Sequence, residues 1–325
     1  MENCYTALVT PMKNGQLDLV AFEKLIRFQT EGGVRGLVIN GTTGESPTTS
    51  DKEKAEMVKL AVENSNTEII AGCGTNSTQH SEHLISEARE IGSKRILLVD
   101  CYYNGPSSLE LSREYYGYLC EKFPELKFIA YVIPGRTGCE LSVEDLTSLH
   151  QKYANLDTVK EATGNLDRMR KTRSLSKICI MSGDDDLTYK IMTDKQIGGS
   201  GVISVMSNIA PTAIEKFCNA VNNKAPNAEQ LAKDLGPLFT LVTVKADEQK
   251  FRNPVPIKTA MAGLGMIEYE ARRPLGKMSK TATEHVRKTL EDIWRTTPWV
   301  LEPIEKFYDV DISKRLEDSS CWVSY

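Results

Sequence analysis

The chain has 325 residues, enough for one large domain or two ordinary ones. Hydrophobic residues make up 40% and charged residues 26%, as in ordinary globular proteins, and a net charge of −4 gives no basic surface for nucleic acid. No apolar run is long enough to cross a bilayer and the N-terminus lacks signal-peptide features, so we expect an unprocessed cytoplasmic chain with no membrane contact.

The cysteine and histidine patterns argue against disulfides and metal sites. Eight cysteines are scattered without any CxxC pair, and several lie in apolar runs such as KICIM. Buried free thiols in a reducing compartment are the expected state. The four histidines show no ligand-like spacing with the cysteines, so we predict no zinc site.

Eight short apolar runs alternate with segments of helical periodicity along the first 224 residues. The runs are TALVTPM, GLVINGTT, EIIAGCG, RILLVDCYY, KFIAYVIP, LDTVKEA, KICIMSG and GVISVM. Ser50 with Glu53 and Ser142 with Asp145 have the spacing of a helix N-cap and an acid that reaches back to it. Alternating strands and helices predict a parallel sheet, and the count of eight favours a (β/α)8 TIM barrel in the α/β class over residues 1–224.

The pattern changes beyond residue 224. Residues 225–308 form a predicted C-terminal helical region, with helices over 227–246, 255–263, 279–295 and 298–307 and no further strand. Residues 309–325 are mostly polar, and we expect a frayed, disordered tail in preference to an oligomer contact.

Active sites of such barrels lie at the C-terminal ends of the strands, so the polar residues there are the candidates. Lys160 ends an otherwise apolar strand. A lysine that is desolvated inside a barrel is available as a free, nucleophilic amine that attacks carbonyl groups. The alternative is a lysine that extends to solvent or pairs with a carboxylate.

Strand alternation allows Lys160, Tyr131 and Thr43 to lie together on the lumen face of the barrel. A phenol near an amine can relay protons, and the hydroxyls and amides of the GTTG sequence at 41–44 can hold a small carboxylate. The alternatives are a core tyrosine with a satisfied hydroxyl and a tight turn leading into the helix capped at Ser50.

The other conspicuous sequences do not indicate nucleotide or metal binding. GTTGES at 41–46 lacks the GK[ST] of a P-loop, and GGSGVIS at 198–204 precedes a strand where a dinucleotide fingerprint would follow one. The acidic triplet at 184–186 is interpreted as an N-cap of the next helix in preference to a divalent metal site.

Taken together, the motifs resemble the dihydrodipicolinate synthase family, within the pyruvate-dependent class I aldolases and the N-acetylneuraminate lyase superfamily. The order of GTTGES, CYYN, Tyr131 with PGRTG, VKEATGN, SGDD, GGSGVISV and NPVPIK is similar to that family's up to about residue 295. The resemblance implies an eight-stranded barrel with a helical C-terminal region, a homotetramer built as a dimer of dimers, and neither metal nor organic cofactor.

The resemblance also implies a role for each site residue. Lys160 would form a Schiff base with pyruvate, and the resulting enamine would attack L-aspartate 4-semialdehyde. Tyr131 would donate and accept the proton, linked through Thr43 to Tyr103 of a neighbouring subunit. The carboxylate of pyruvate would be held by Thr42 and Thr43, and backbone near the substrate would come from Gly183 and Ile203.

Arg136 distinguishes members of this family. A guanidinium can hold the second substrate's carboxylate through two hydrogen bonds, and relatives that act on sialic acid lack this arginine. Its alternative is an ion pair with an acid such as Glu140. The competing hypotheses are a pyruvate-dependent aldolase or lyase for another aldehyde or a sugar acid, and a barrel without catalytic activity.

Regulation by free lysine is expected to be weak or absent. The resemblance maps an effector site onto Ser46, Asn76, His80 and Tyr102, and in lysine-sensitive relatives the position of His80 is acidic. A histidine removes the attraction for the effector's ammonium group, or reverses it when protonated.

Overall fold

The computed structural model describes residues 1–325 and contains the predicted eight-stranded parallel barrel. The first strand pairs with the second and with the eighth, which closes the sheet. In chain order the strands β1 to β8 are Asn3–Ala7, Gly36–Ile39, Glu68–Gly72, Arg95–Val99, Lys127–Val132, Leu156–Glu161, Cys179–Ser182 and Gly201–Ser204.

Helices connect the strands on the outside of the barrel. They are Leu19–Glu31, Asp51–Asn64, Thr78–Ile91, Ser108–Glu110 continuing as the π-helix Leu111–Gly117 and as Tyr118–Lys122, Pro134–Thr137, Val143–Lys152, Leu166–Leu175, Thr188–Thr193 and Pro211–Asn222. None of the protein's helices combines the length and the apolar composition needed to span a bilayer.

The helix starts follow the capping residues that the sequence indicated. The Ser50 hydroxyl accepts the Glu53 N–H while the Glu53 carboxylate accepts the Ser50 N–H, which is a complete capping box. The Ser142 hydroxyl likewise accepts the N–H of Asp145. Such caps satisfy donors that the first turn of a helix leaves free.

The core has two compartments, because alternate residues of each strand face the lumen and the helices. A large apolar core lies between the strands, the outer helices and the C-terminal region. A second cluster fills the lumen and consists of Tyr5, Ala7, Val38, Ile70, Leu97, Ile129, Tyr131, Met181 and Ile203. The lumen is therefore packed below the strand ends, which leaves the C-terminal mouth of the barrel for a site.

The C-terminal region is helical with one exception that the sequence did not predict. Its helices are Ala228–Phe239, Val255–Gly263, Lys280–Thr296, Glu302–Tyr308 and Ile312–Glu317. The helix predicted over 227–246 ends at Phe239, and Thr243–Ala246 pairs with Gln249–Arg252 as an antiparallel hairpin. The prediction of no further strand was therefore wrong.

The last residues also differ from the prediction. In place of a frayed tail, Asp311 caps the helix Ile312–Glu317 through its side chain. Trp322 is buried, its indole N–H donates to the carbonyl of Arg315, and its ring covers Gly263 so closely that a Cβ there would clash. The tail thus packs onto the helix Val255–Gly263.

The cysteines are free thiols, as predicted. Four of them are buried (Cys4, Cys73, Cys120 and Cys218), and the remaining four are half-buried.

Candidate active site

Lys160 and Tyr131 stand side by side at the ends of β6 and β5. The strand register pairs Tyr131 with Lys160, and Lys160 with Met181 of β7. Each of the two side chains is about 5% exposed, and the Lys160 Nζ lies 4.2 Å from the centroid of the Tyr131 ring. The predicted lumen-facing placement of both residues is confirmed.

The Lys160 amine has no hydrogen-bond acceptor or carboxylate partner in the chain, although it is buried. The carboxylate that follows it, Glu161, faces the opposite side of the strand, where it is fully buried and pairs with Arg168 at 3.0 Å. Burial raises the pKa of Glu161, and the Arg168 charge opposes that rise. Neither extension to solvent nor an ion pair therefore describes Lys160, and its amine is free to react.

Asp184 and Asp185 are acidic groups whose pKa values the charge of Lys160 lowers, against a larger rise caused by burial. Burial raises the pKa of Asp184 to about 6, the negative charge of Asp186 adds to the rise, and the charge of Lys160 opposes it. The carboxyl near the amine is consequently ionised only above that pH.

The acidic triplet does not cap the next helix, contrary to the interpretation drawn from the sequence. The helix Thr188–Thr193 begins without a side-chain cap. The buried Asp185 carboxylate instead accepts the Ser204 hydroxyl and the N–H groups of Val205 and Met206 at the end of β8. It joins the ends of two neighbouring strands.

The loop after β2 leaves adjacent backbone donors free. The N–H groups of Gly44, Glu45 and Ser46 are used in turns that close on Gly41 and Thr42. The N–H groups of Thr42 and Thr43 have no partner in the chain. Adjacent free donors beside two hydroxyls form a concave anion site, so the loop is suited to hold a carboxylate.

Thr43 and Arg136 are both fixed by Asn253, a residue from the C-terminal region. The Asn253 side-chain amide donates to the Thr43 hydroxyl at 2.9 Å. The Arg136 guanidinium donates to the Asn253 carbonyl at 2.8 Å, and it forms no ion pair with Glu140. The alternative role for Arg136 as a partner of that acid is therefore wrong.

An open cavity of about 470 Å³ connects the mouth of the barrel with the loops beside it. Thr42, Tyr131 and Arg136 line one part of it. The four residues that the sequence mapped to an effector site, Ser46, Asn76, His80 and Tyr102, line the same cavity. In this chain the His80 ring already has a partner, because its Nε2 lies 2.9 Å from the carboxylate of Asp51.

Lys160 and Thr43 are not among the residues that line this cavity, and three further candidates also lie apart from the lining. Tyr103 is 88% exposed and has a left-handed backbone with φ of 80°. Ile203 is buried within the lumen cluster. Gly183 packs so tightly against Ala162 that a Cβ would clash. Its N–H donates to the Glu161 carbonyl, and its own carbonyl accepts no hydrogen bond from the chain.

Sequence reasoning missed Asn253, Lys258 and the role of Glu45. Lys258 is fully buried, and its Nζ donates to Glu45 at 2.5 Å and to the Thr10 carbonyl at 2.9 Å. The available signal was the NPVPIK segment itself, which carries a lysine and an asparagine in an otherwise apolar stretch.

The chain matches a model of the dihydrodipicolinate synthetase family over residues 1–293. It is 36% identical over 295 residues to the 4-hydroxy-tetrahydrodipicolinate synthase of Thermotoga neapolitana, across 88% of this chain and 97% of the relative. The solved structure of the 4-hydroxy-tetrahydrodipicolinate synthase from Methylacidiphilum fumariolicum SolV superposes with a TM-score of 0.85 at 34% identity, over 95% of this chain and 99% of that one.

A second solved structure, described as the first monomeric dihydrodipicolinate synthase variant, gives a TM-score of 0.84 at 34% identity. That superposition covers 90% of this chain and 97% of the other.

Proposed function

The chain belongs to the dihydrodipicolinate synthetase family, and we propose that it condenses pyruvate with L-aspartate 4-semialdehyde to give 4-hydroxy-tetrahydrodipicolinate. This lyase-class reaction would place it in the biosynthesis of diaminopimelate and lysine. The observation that supports the proposal most is the buried Lys160 amine, which has no partner in the chain and lies 4.2 Å from the Tyr131 ring.

Pyruvate enters with its carboxylate on the free N–H groups of Thr42 and Thr43. The Lys160 amine attacks the ketone carbon, and loss of water leaves a Schiff base between that carbon and Nζ. A proton then leaves the methyl carbon, and the electron pair of that C–H bond forms the enamine.

Tyr131 supplies and takes up the protons of these steps. Its phenol belongs to the side chain that Lys160 contacts, so it is placed for transfer to the carbinolamine oxygen. Thr43 extends the relay, and the exposed Tyr103 of a second copy completes it.

The enamine carbon attacks the aldehyde of the semialdehyde and forms the new carbon–carbon bond. Arg136 receives the semialdehyde's carboxylate, because its guanidinium offers paired donors beside Tyr131 and Thr42 at the cavity. The substrate's amino group then displaces Nζ from the imine carbon, which closes a six-membered ring and regenerates Lys160. Gly183 and Ile203 border the reacting carbons.

The role of Tyr103 requires assembly, and we include a homotetramer built as a dimer of dimers in the proposal. A phenol that is 88% exposed next to its own barrel mouth suits insertion into a neighbouring subunit. Analytical ultracentrifugation tests this part, and an active monomer would contradict it.

Turnover of both substrates by the wild type and by Arg136→Lys tests the proposed function. The lysine keeps the positive charge but loses the paired geometry. We expect the KM for the semialdehyde to rise about tenfold or more, which corresponds to losing one charge-assisted hydrogen bond. Adduct formation with pyruvate, which is trapped by borohydride, should remain unchanged as the matched control.

The other outcomes identify the alternatives. A wild-type enzyme that traps pyruvate but turns over only other aldehydes or sugar acids would be a different pyruvate-dependent aldolase or lyase. A protein that traps no pyruvate would be a barrel without this activity.

A further inference from the structure

We propose that Asn253 is a positioning residue that sets the direction of the Thr43 hydroxyl and so aims its proton at the reaction centre. This inference rests on the proposed function. Asn253 lies outside the eight barrel strands, directly after the hairpin strand Gln249–Arg252, and is 210 positions from Thr43.

The direction of the contact follows from the donor group. The Asn253 carboxamide nitrogen carries only protons to donate, so at 2.9 Å it fills a lone pair of the Thr43 oxygen. The single proton of that hydroxyl cannot then point back to Asn253 and is directed elsewhere. Thr43 is left to donate its proton away from Asn253, as a proton relay or a carboxylate ligand requires.

Packing alone does not explain why residue 253 is an asparagine. Asn253 is 8% exposed, Thr43 is 2% exposed, and the Asn253 side-chain oxygen is buried without a hydrogen-bond partner. An unsatisfied buried carbonyl lowers stability, and an apolar side chain of similar size would avoid that cost. The amide is therefore explained by what its nitrogen does for Thr43.

The segment that carries Asn253 is anchored at several points. The Asn253 N–H donates to the Val242 carbonyl, and the Asn253 carbonyl accepts the Arg136 guanidinium. Five residues on, Lys258 binds Glu45 of the same loop that carries Thr43. Residues 253–258 thus hold the loop at 41–46 at two points, which keeps the distance between Asn253 and Thr43 fixed.

A double-mutant cycle on the rate of pyruvate adduct formation tests the inference. The variants are Asn253→Asp, Thr43→Val and the two combined, in the full-length protein, with folding checked by thermal melting. Asn253→Asp keeps the size and shape of the side chain and the backbone contact with Arg136, but it replaces the donor with an acceptor. The proton of the Thr43 hydroxyl is then drawn toward residue 253. We expect the rate of adduct formation to fall about tenfold or more, because one contact that orients a reacting group is lost.

In the Thr43→Val background, Asn253→Asp should cause no further fall beyond about twofold, because residues that act as a unit are not additive. The pH profile gives a second readout. As the pH falls and the introduced carboxyl takes up a proton, it can again donate to Thr43, so the rate relative to wild type should rise. A purely structural defect would not recover in this way.

Equal falls in both backgrounds, or a wild-type rate in Asn253→Asp, would overturn the role of Asn253 while leaving the proposed function intact. If Asn253→Asp does not fold, Asn253→Ala replaces it in the same cycle with the same expectation. A wild-type protein that forms no pyruvate adduct would overturn the proposed function, and with it the reaction that Asn253 serves.

Discussion

Two buried lysines in this molecule have opposite surroundings. Lys258 is 0% exposed and its Nζ binds the Glu45 carboxylate and the Thr10 carbonyl. Lys160 is 5% exposed and contacts the face of Tyr131 without any acceptor. Burial therefore does not distinguish the two lysines, whereas the presence or absence of an acceptor for the amine does.

The two lysines also differ in their place in the molecule. The Lys258 pair joins the C-terminal region to the loop at 41–46, which is a structural task. The Lys160 amine lies at the end of β6 and contacts the ring of Tyr131, which lines the cavity.

The largest effect is expected from Lys160→Ala. Without the amine no Schiff base can form, so turnover should fall to background. Because Lys160 makes no hydrogen bond or ion pair, the melting temperature should change little. Steady-state assays and thermal melting of the same preparation measure both, and retained turnover would contradict the assignment.

Tyr131→Phe should separate chemistry from binding. Loss of a proton relay costs about 10²- to 10⁴-fold in rate. The aromatic face beside Lys160 remains, so trapping of the pyruvate adduct should persist while kcat falls. Parallel measurement of kcat and of the trapped fraction checks this, and an unchanged kcat would remove Tyr131 from the mechanism.

Lys258→Met should lower stability while leaving the Lys160 amine in place. Removing one member of a buried ion pair leaves Glu45 uncompensated, which typically costs about 3–5 kcal/mol of unfolding free energy. Urea unfolding measures the loss. The folded fraction should still form the pyruvate adduct, in contrast to Lys160→Ala.

A matched control removes both charges of that pair. Glu45→Leu combined with Lys258→Met should recover much of the lost stability, because no unpaired charge remains. If the double variant is as unstable as the single one, the pair stabilises the protein by another means.

A smaller effect is expected from Asp184, a carboxyl that senses the charge of Lys160. With its pKa raised to about 6 by burial, it is mostly neutral below that pH and ionised above it. Asp184→Asn removes the negative charge that forms above about pH 6. Its rate of adduct formation should therefore differ severalfold from that of the wild type at about pH 8 and match it at about pH 5.

Stopped-flow or quenched trapping across that pH range measures the difference. Equal rates of the variant and the wild type at both ends of the range would show that the Asp184 charge does not reach Lys160.

The smallest effect concerns free L-lysine as an effector. Its ammonium would need a carboxylate in the cavity, but the Asp51 carboxylate is already bound by His80 at 2.9 Å. We expect little or no inhibition at millimolar lysine, and a gain of inhibition in His80→Glu. Strong inhibition of the wild type in a steady-state titration would contradict this.

The sequence was a good guide where periodicity governs structure. Alternation within single strands predicts the barrel strands and the strand face on which Lys160 and Tyr131 lie. Local spacing predicts the Ser50 capping box. These features depend on neighbours a few residues apart, so a single sequence contains them.

The features that the sequence did not predict also have physical reasons. The turn of the hairpin at 243–252 places Asp247 and Glu248 in the left-handed region, at φ of 51° and 60°, without the glycine or asparagine that signals such turns. The tail is ordered by the contact of Trp322 with Gly263, which polar composition does not reveal. Asn253 and Thr43 are 210 positions apart, and no local pattern links them.

The central claim is that the unpartnered lysine, and not the partnered one, is the nucleophile. Incubation of the wild type with pyruvate and borohydride, followed by peptide mapping by mass spectrometry, tests it directly. We expect one pyruvate-derived adduct per chain, located on Lys160, and none on Lys258. An adduct on any other lysine, or no adduct at all, would contradict it.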